Sequence, residues 1–251
     1  MDDWFYYDAV HALHRYCNPI SEPAVRELES VHDLEPGDRE LDIACGHATL
    51  LLEIAERIGP VGTGVDASPF ALGRAEAAKA SRGEELDVTL VHGRGETYVN
   101  DQPFDVAMCI GASWIWNGYA GTLRALRSFV RPGGLLVAGE PYWIQEPPDS
   151  YLEAESLRRD EFPSLAGYHA FAVKEGLSLV WMRASSQQEW DRYEMLQTAS
   201  FDHFLRAHPD HPDIEAIRQR LMPSKAAYID WGRDGLGFAI WVWRVPEDEA
   251  S

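Results

Sequence analysis

Residues 40–48 read ELDIACGHA, and this short stretch decides the fold class. An apolar strand is predicted at residues 41–43, and a helix is predicted over residues 49–58, ended by Gly59 and Pro60. In open α/β sheets, ligands bind where a strand ends and the chain turns into a helix. Small residues at that turn let a ligand approach the backbone closely. The sequence therefore predicts a ligand-binding loop at residues 44–48.

The alternation of strand and helix continues along the first half of the chain. Apolar runs predict strands at residues 61–65, 87–91, 104–110 and 135–139, helices at 70–81 and 118–130, and a turn at 131–134. Ser68 and Pro69 are the residue types expected at the cap and first turn of the helix over 70–81. This β-α-β pattern implies a parallel sheet covered by helices on both faces.

The second half of the chain is richer in helices. These are predicted over residues 150–159, 165–175, 186–207 and 214–231, the last interrupted at Met222 and Pro223, with strands at 177–184 and 237–245. No repeat or low-complexity linker divides the chain, so we predict a single domain over residues 1–251. The acidic residues 247–251 have no apolar pattern, and no fixed structure is expected there.

Charge and cysteine content narrow the class of protein. The chain has 22 Lys and Arg against 41 Asp and Glu, a formal net charge of −19, which disfavours nucleic acid as a partner. No apolar stretch approaches the roughly 18 residues of a membrane span, and the acidic N-terminus does not resemble a signal peptide. The three cysteines have no paired spacing, which indicates a reducing cytoplasm and neither disulfides nor a metal site.

Two acidic residues at strand ends point to a nucleoside ligand. Asp66 ends the second predicted strand, where a carboxylate accepts hydrogen bonds from ribose hydroxyls. The glycine pattern of dinucleotide sites fails, because its positions hold Ala44, Gly46 and Thr49. Asp42, directly before the loop, would repel a pyrophosphate and suits a ligand with a cationic end.

These residues resemble motif I of the class I S-adenosylmethionine-dependent methyltransferases, with Ala44 and Ala48 in place of the outer glycines. Asp66 matches the ribose-binding acid of that family, residues 94–96 fall where it contacts adenine, and residues 104–111 resemble its motif IV. Arg94 is a departure, because an Asp that binds the adenine amino group often lies there. The segments 13–19, 109–114 and 139–143 resemble a bacterial branch of small-molecule methyltransferases.

The resemblance implies a Rossmann-like seven-stranded sheet whose last strand is antiparallel, with an added helical cover over the site. It assigns residues 1–35 to an N-terminal cover, 36–140 to the cofactor-binding core, and 141–251 to acceptor-side helices and the final strands. The implied cofactor is S-adenosyl-L-methionine. The residues implied to bind it are Asp42, Ala44, Cys45, Gly46, Asp66, Ala67, Gly95, Glu96, Ile110 and Gly111.

Residues that face the transferred methyl group are expected in the loops after the fourth and fifth strands. Since the methyl donor is already activated, such an enzyme mainly positions its substrates, and a base is needed only for acceptors that lose a proton. We predict catalytic roles for Glu140, Tyr142 and Trp114, with the aromatic rings close to the sulfonium. A packing role for these aromatic residues, and a salt bridge for Glu140, are the alternatives. His11 and His14 lie on a helix that is expected to fold over the cofactor.

Three functions remain open at this point. The first is a methyltransferase acting on a small molecule, which the aromatic content of 11% indicates to be planar or partly apolar. The second is a cofactor-binding sensor or scaffold without turnover. The third is a nicotinamide-dependent oxidoreductase, which the failed glycine pattern and the absence of a Tyr-x-x-x-Lys pair disfavour. The sequence does not determine the oligomeric state.

Overall fold

A computed structural model describes residues 1–83 and 86–247 and contains one mixed sheet of seven strands. The sheet has the order β3-β2-β1-β4-β5-β7-β6, and β7 runs antiparallel to both of its neighbours. The prediction of a seven-stranded Rossmann-like fold with an antiparallel last strand is confirmed. The strands are β1 (Arg39–Ile43), β2 (Val61–Asp66), β3 (Val88–His92), β4 (Phe104–Ile110), β5 (Val130–Trp143), β6 (Ser178–Ala184) and β7 (Leu236–Arg244).

Nine helices surround the sheet within the described residues. They are α1 (Asp3–His11), α2 (Glu22–His32), α3 (Thr49–Arg57), α4 (Pro69–Arg82), α5 (Tyr119–Phe129), α6 (Asp149–Glu155), α7 (Leu165–Lys174), α8 (Gln187–Ala207) and α9 (Ile214–Ala227). A π-helical turn, Tyr228–Gly232, and a short helical stretch, Arg233–Gly235, lead from α9 into β7. In the part of the chain that the structure describes, no helix combines the length and apolarity needed to cross a membrane.

Both faces of the sheet are buried, because successive strand residues point to opposite sides. In β7, Phe238, Ile240 and Val242 belong to the hydrophobic cluster that packs α2, α3 and α4. The residues between them, Trp241 among them, belong to the cluster that packs α5 and α7 on the other face. The helices therefore lie on both faces, as the alternation of elements predicts.

A separate small hydrophobic cluster stabilises one edge of the helical cover. Tyr6, Ala9 and Val10 of α1 pack against Phe201 of α8 and against buried residues of α9. Ser186 caps α8 with a reciprocal capping box, in which its hydroxyl accepts from the Glu189 N–H. Helix α1, near the N-terminus, thus packs against α8 and α9 from the second half of the chain.

Three predicted boundaries are wrong. The predicted turn at residues 131–134 is a bulge inside β5, since Val130 pairs with Phe104 and Leu135 with Val106. The second-half helix predicted to end at residue 159 stops at Glu155, because Ser156 adopts a left-handed conformation with φ 55°. The helix predicted to break at Pro223 continues to Ala227, since residues buried on both sides of the proline hold it together. The acidic tail lies outside the described residues from residue 248 onward.

Candidate functional site

The loop between β1 and α3 lines a cavity of about 430 Å³ at the carboxyl ends of β1, β2 and β4. Helix α1 and residues 15–20 form its opposite wall. Seven of the residues predicted to bind cofactor line this cavity, together with the predicted catalytic residue Trp114. The seven are Asp42, Ala44, Cys45, Gly46, Asp66, Ile110 and Gly111.

The loop itself has an unusual backbone. Ala44, Gly46 and Ala48 all adopt left-handed conformations, with φ values of 61°, 56° and 53°. Two hydrogen bonds hold the loop against β2, where the N–H groups of Ala44 and Cys45 donate to the Val65 carbonyl over 2.8 and 3.2 Å. The alanines in place of the outer glycines therefore keep the glycine-like conformation, at the steric cost that a side chain brings there.

The carboxylate of Asp66 is fixed by the backbone on both sides. Its Oδ2 accepts from the Gly46 N–H over 2.8 Å, and its Oδ1 accepts from the Ser68 N–H over 2.8 Å. Burial raises the pKa of Asp66, while these N–H groups oppose the shift. The carboxylate reaches the cavity wall in a defined orientation, as a group that binds two ribose hydroxyls requires.

Asp42 lies deeper, at the end of β1, and is 5% exposed. Burial, and after it the nearby Asp66 carboxylate, raise the pKa of Asp42 well above its usual range. Within residues 1–83 and 86–247, no cation is paired with it. A buried carboxylate without a cation favours a ligand that brings a positive charge.

A smaller cavity of about 110 Å³ continues from the first one, and Ala67, Gly95 and Glu96 line it. It shares Ala44, Asp66, Trp114 and Trp4 with the larger cavity. A β-carbon at Gly95 would lie 2.5 Å from the Ile43 side chain, so only glycine fits this close approach. Arg94 donates to Glu96 over 2.7 Å, so the Glu96 carboxylate is already paired with a cation.

The N-terminal segment contacts the cofactor loop directly. Asn18 donates from Nδ2 to the Ile110 carbonyl over 3.3 Å and fills the space beside Gly111, whose φ is 75°. The Cys17 thiol lies 3.6 Å from His47 Nδ1. Residues between Trp4 and Ile20 therefore form part of the cavity wall.

The structure separates the three predicted catalytic residues. Trp114 is 62% exposed and lines both cofactor cavities. Glu140 is 3% exposed, and its Oε1 accepts from the Ser113 N–H over 3.0 Å. Tyr142 packs in the cluster that faces α5 and α7. Glu140 and Tyr142 line neither of these cavities, and Pro141, which lies between them on β5, faces the other side of the sheet.

A second cavity of about 470 Å³, here called the chamber, lies beneath α1, α6, α8 and α9. Tyr7, His11 and Tyr193 line both the chamber and the larger cofactor cavity, so these three side chains form the border between them. The aromatic residues that line the rest of the chamber are Tyr6, Tyr151, Phe162, Trp190 and Tyr228.

At the border, His11 is neutral at physiological pH. His11 Nδ1 lies 3.0 Å from the Tyr7 carbonyl, which only accepts, so Nδ1 carries the hydrogen. His11 Nε2 is then free to accept from the Tyr193 hydroxyl over 3.2 Å. Burial, and after it the neighbouring His14, lower the pKa of His11 to about 3. The sequence predicts that His11 lies over the cofactor, but it does not predict the hydrogen bond between His11 and Tyr193.

Comparison with known proteins agrees with this geometry. Residues 41–134 match the family model described as Methyltransferase domain. The chain is 30% identical over 231 residues to the uncharacterized protein YjhP of Escherichia coli (strain K12), which spans 91% of this chain and 93% of YjhP.

Two solved structures of S-adenosylmethionine-dependent methyltransferases in complex with S-adenosyl-L-homocysteine are also similar. The protein from Geobacter sulfurreducens superposes with a TM-score of 0.89 at 32% identity, covering 95% of this chain and 97% of that one. The protein from Thiobacillus denitrificans superposes with a TM-score of 0.88 at 31% identity, covering 97% and 98%. The chain therefore belongs to the class I S-adenosylmethionine-dependent methyltransferases, in a bacterial branch that includes YjhP, and its cofactor is S-adenosylmethionine.

Proposed function

We propose that this methyltransferase acts on a small-molecule acceptor, which binds in the chamber and presents its nucleophile between Tyr7, His11 and Tyr193. The observation that carries the proposal is the shared border of the two cavities. A volume of about 470 Å³ lies within the range of about 300–1,000 Å³ that small-molecule sites occupy. Helices α1, α6, α8 and α9 cover the chamber. This shape suits a compact molecule better than a polymer chain.

The cofactor-binding residues divide the larger cavity into regions of different chemistry. We assign the ribose hydroxyls to Asp66, whose carboxylate is held by Gly46 and Ser68. Asp42 is the carboxylate for the cationic methionine end. The smaller cavity beside Gly95 is assigned to adenine, with Trp114 as its exposed wall. Ala67, Cys45, Glu96 and Ile110 complete the assignment as backbone and packing contacts.

Methyl transfer depends on the orientation of the acceptor more than on proton transfer. When bound, S-adenosylmethionine supplies a methyl group that is already activated for in-line attack. The residues at the border hold the acceptor atom on the line of attack and keep water out. Because His11 is neutral, the border brings no positive charge against a cationic ligand. The enzyme thus contributes by positioning the acceptor atom at a border from which water is excluded.

Glu140 is assigned a positioning role in place of direct contact with substrate. Its carboxyl accepts from the Ser113 N–H, at the start of the turn that carries Trp114. Burial raises its pKa to about 8, so the neutral form is present at physiological pH and still accepts this bond through its carbonyl oxygen. Tyr142 is assigned to packing on the same face of the sheet.

A variant that narrows the chamber tests the proposal. Ala154 lies on α6, lines the chamber and is exposed, so Ala154→Phe places a ring at its wall without disturbing the core. Ser150→Phe is the matched control, on the same helix but not lining the chamber. With a small-molecule extract as acceptor source, we expect release of S-adenosylhomocysteine from wild type and Ser150→Phe, and a loss of at least tenfold in Ala154→Phe.

Binding of S-adenosylhomocysteine, measured by calorimetry, should be the same in all three proteins, because Ala154 lies outside the cofactor cavity. Equal turnover in Ala154→Phe and the control would contradict the chamber as acceptor site. Cofactor binding without turnover in any extract would favour the sensor or scaffold alternative.

A further inference from the structure

The chamber contains a buried cluster of three charged groups with one carboxylate in excess. Lys225 is 6% exposed and hydrogen-bonds Glu194, and its Nζ also donates to Gln197 over 3.1 Å. Glu155, on the opposite helix α6, receives only a hydroxyl hydrogen bond from Ser224 over 3.2 Å. The ammonium of Lys225 therefore pairs with Glu194, whereas among the described residues no cation forms an ion pair with Glu155, although Lys225 is close enough to lower its pKa.

The other cation at the chamber is directed elsewhere. Arg220 donates to Asp3 over 2.7 Å and to the Tyr7 hydroxyl over 3.1 Å, and its guanidinium lies 3.9 Å from the centre of the Tyr6 ring. Asp3 is exposed, so this pair is turned toward the surface. An anionic acceptor would have to displace Asp3 from Arg220 and then lie close to two carboxylates.

The walls of the chamber favour a flat ligand with a positive charge. Aromatic rings attract cations through their faces, and this attraction is stronger when water is excluded. Five aromatic side chains line the chamber beyond its border, and Tyr6 and Tyr151 are close enough to Glu155 for its charge to raise their pKa values. Burial, in turn, raises the pKa of Glu155, while the Ser224 hydroxyl and the Lys225 ammonium oppose this shift.

The Trp190 indole is also part of the chamber wall. Trp190 is 7% exposed and lines the chamber, but its indole N–H is buried and does not face a ligand there. Trp190 therefore contributes its aromatic ring. The wall thus combines a carboxylate that has no paired cation with aromatic faces, which together describe an amine with a flat body.

We infer that the methyl acceptor is a primary or secondary amine on a flat body, with Glu155 as the carboxylate that recognises its ammonium form. This inference rests on the proposed function of the chamber. In the reaction, the ammonium first loses a proton to Glu155 or to water, which releases the neutral amine from Glu155 to reach the border of Tyr7, His11 and Tyr193. The nitrogen lone pair then forms the N–C bond while the S–C bond breaks, and the sulfur keeps that electron pair. The methylated ammonium finally releases its proton to solvent.

The test uses three probes that share an aromatic ring and differ in charge: tyramine, 4-ethylphenol and 4-hydroxyphenylacetate. Their affinities are measured by calorimetry with saturating S-adenosylhomocysteine present. We expect tyramine to bind at least tenfold more tightly than the other two. Glu155→Gln should abolish this preference and leave 4-ethylphenol unchanged, because it removes the charge and keeps the shape.

The matched control is Glu153→Gln, an exposed glutamate on α6 that does not line the chamber. It should bind tyramine like wild type, and both variants should bind S-adenosylhomocysteine like wild type. Tighter binding of the acid, equal binding of all three probes, or no binding of tyramine would overturn the amine assignment. If the neutral or acidic probe binds at least as tightly as tyramine and this binding is lost in Ala154→Phe, the amine assignment is overturned while the chamber remains the acceptor site.

Discussion

Asp66 and Gly46 are joined by a hydrogen bond of 2.8 Å between the carboxylate Oδ2 and the backbone N–H. This bond links the end of β2 to the left-handed turn of the cofactor loop, where Gly46 has φ 56°. One side chain thus has two tasks, because it fixes the loop and is the group assigned to the ribose hydroxyls. Removal of the Asp66 carboxylate should therefore affect both the shape of the site and its contacts.

The first prediction concerns Asp66→Ala. We expect the affinity for S-adenosylhomocysteine to fall by about 1.5–3 kcal/mol, the range for hydrogen bonds to a charged group. Calorimetric titration measures the change, and Asp202→Ala, an exposed site on α8, is the control. Unchanged affinity in Asp66→Ala would remove this residue from the ribose site.

The second prediction concerns the left-handed alanine at the start of the loop. Ala44 has φ 61° and is only half-buried, so Ala44→Gly should raise the free energy of unfolding by about 0.5–1 kcal/mol. Ala77→Gly, at an exposed position inside α4, should lower it by about 1 kcal/mol. Urea denaturation measures both, and a destabilised Ala44→Gly would show that the alanine methyl group matters more than the backbone strain.

The third prediction concerns the pH dependence that Glu140 brings. Burial raises its pKa from 4.5 to about 8, so between these values the folded protein holds a proton that the unfolded chain has released. The free energy of unfolding should therefore fall as pH rises through this window. Glu140→Gln does not titrate, and it should become progressively more stable relative to wild type between pH 5 and pH 8. A difference between the two proteins that does not change with pH would contradict this assignment.

The fourth prediction separates two positions for Trp114. If it walls the adenine side, as its place in the smaller cavity indicates, Trp114→Ala should weaken S-adenosylmethionine and S-adenosylhomocysteine equally, by about 1 kcal/mol. Trp114→Phe should retain most of the affinity for both. A loss confined to S-adenosylmethionine would instead place the indole beside the sulfonium, as the sequence-based hypothesis had it.

The sequence predicts a group of residues that the structure brings together at the larger cavity, because these residues are close together along the chain. Asp42, Gly46 and Asp66 all belong to one β-α-β unit, whose geometry follows from the order of its elements. Even the alanines could be interpreted, since the loop keeps the conformation of the glycines they replace. Strand and helix order were sufficient for the sheet as well, apart from the boundaries of β5, α6 and α9.

The acceptor side could not be predicted in the same way, since it forms from distant parts of the chain. His11 and Tyr193 meet across 182 residues, and nothing in either segment identifies the other. Glu140 and Tyr142 lie within β5, and the face of the sheet to which their side chains point depends on the strand register. The bulge opposite Asp105 and the pairing with β7 set that register, and neither can be derived from the local pattern.

The most direct test of the central claim is the size of the labelled product. The protein is incubated with S-adenosylmethionine carrying a radioactive methyl group and a cell lysate, and label is then measured in the small-molecule, protein and nucleic-acid fractions. The account predicts label in the small-molecule fraction, with a strong reduction in Ala154→Phe but not in Ser150→Phe. Label in protein or nucleic acid, or no label in any fraction, would contradict it.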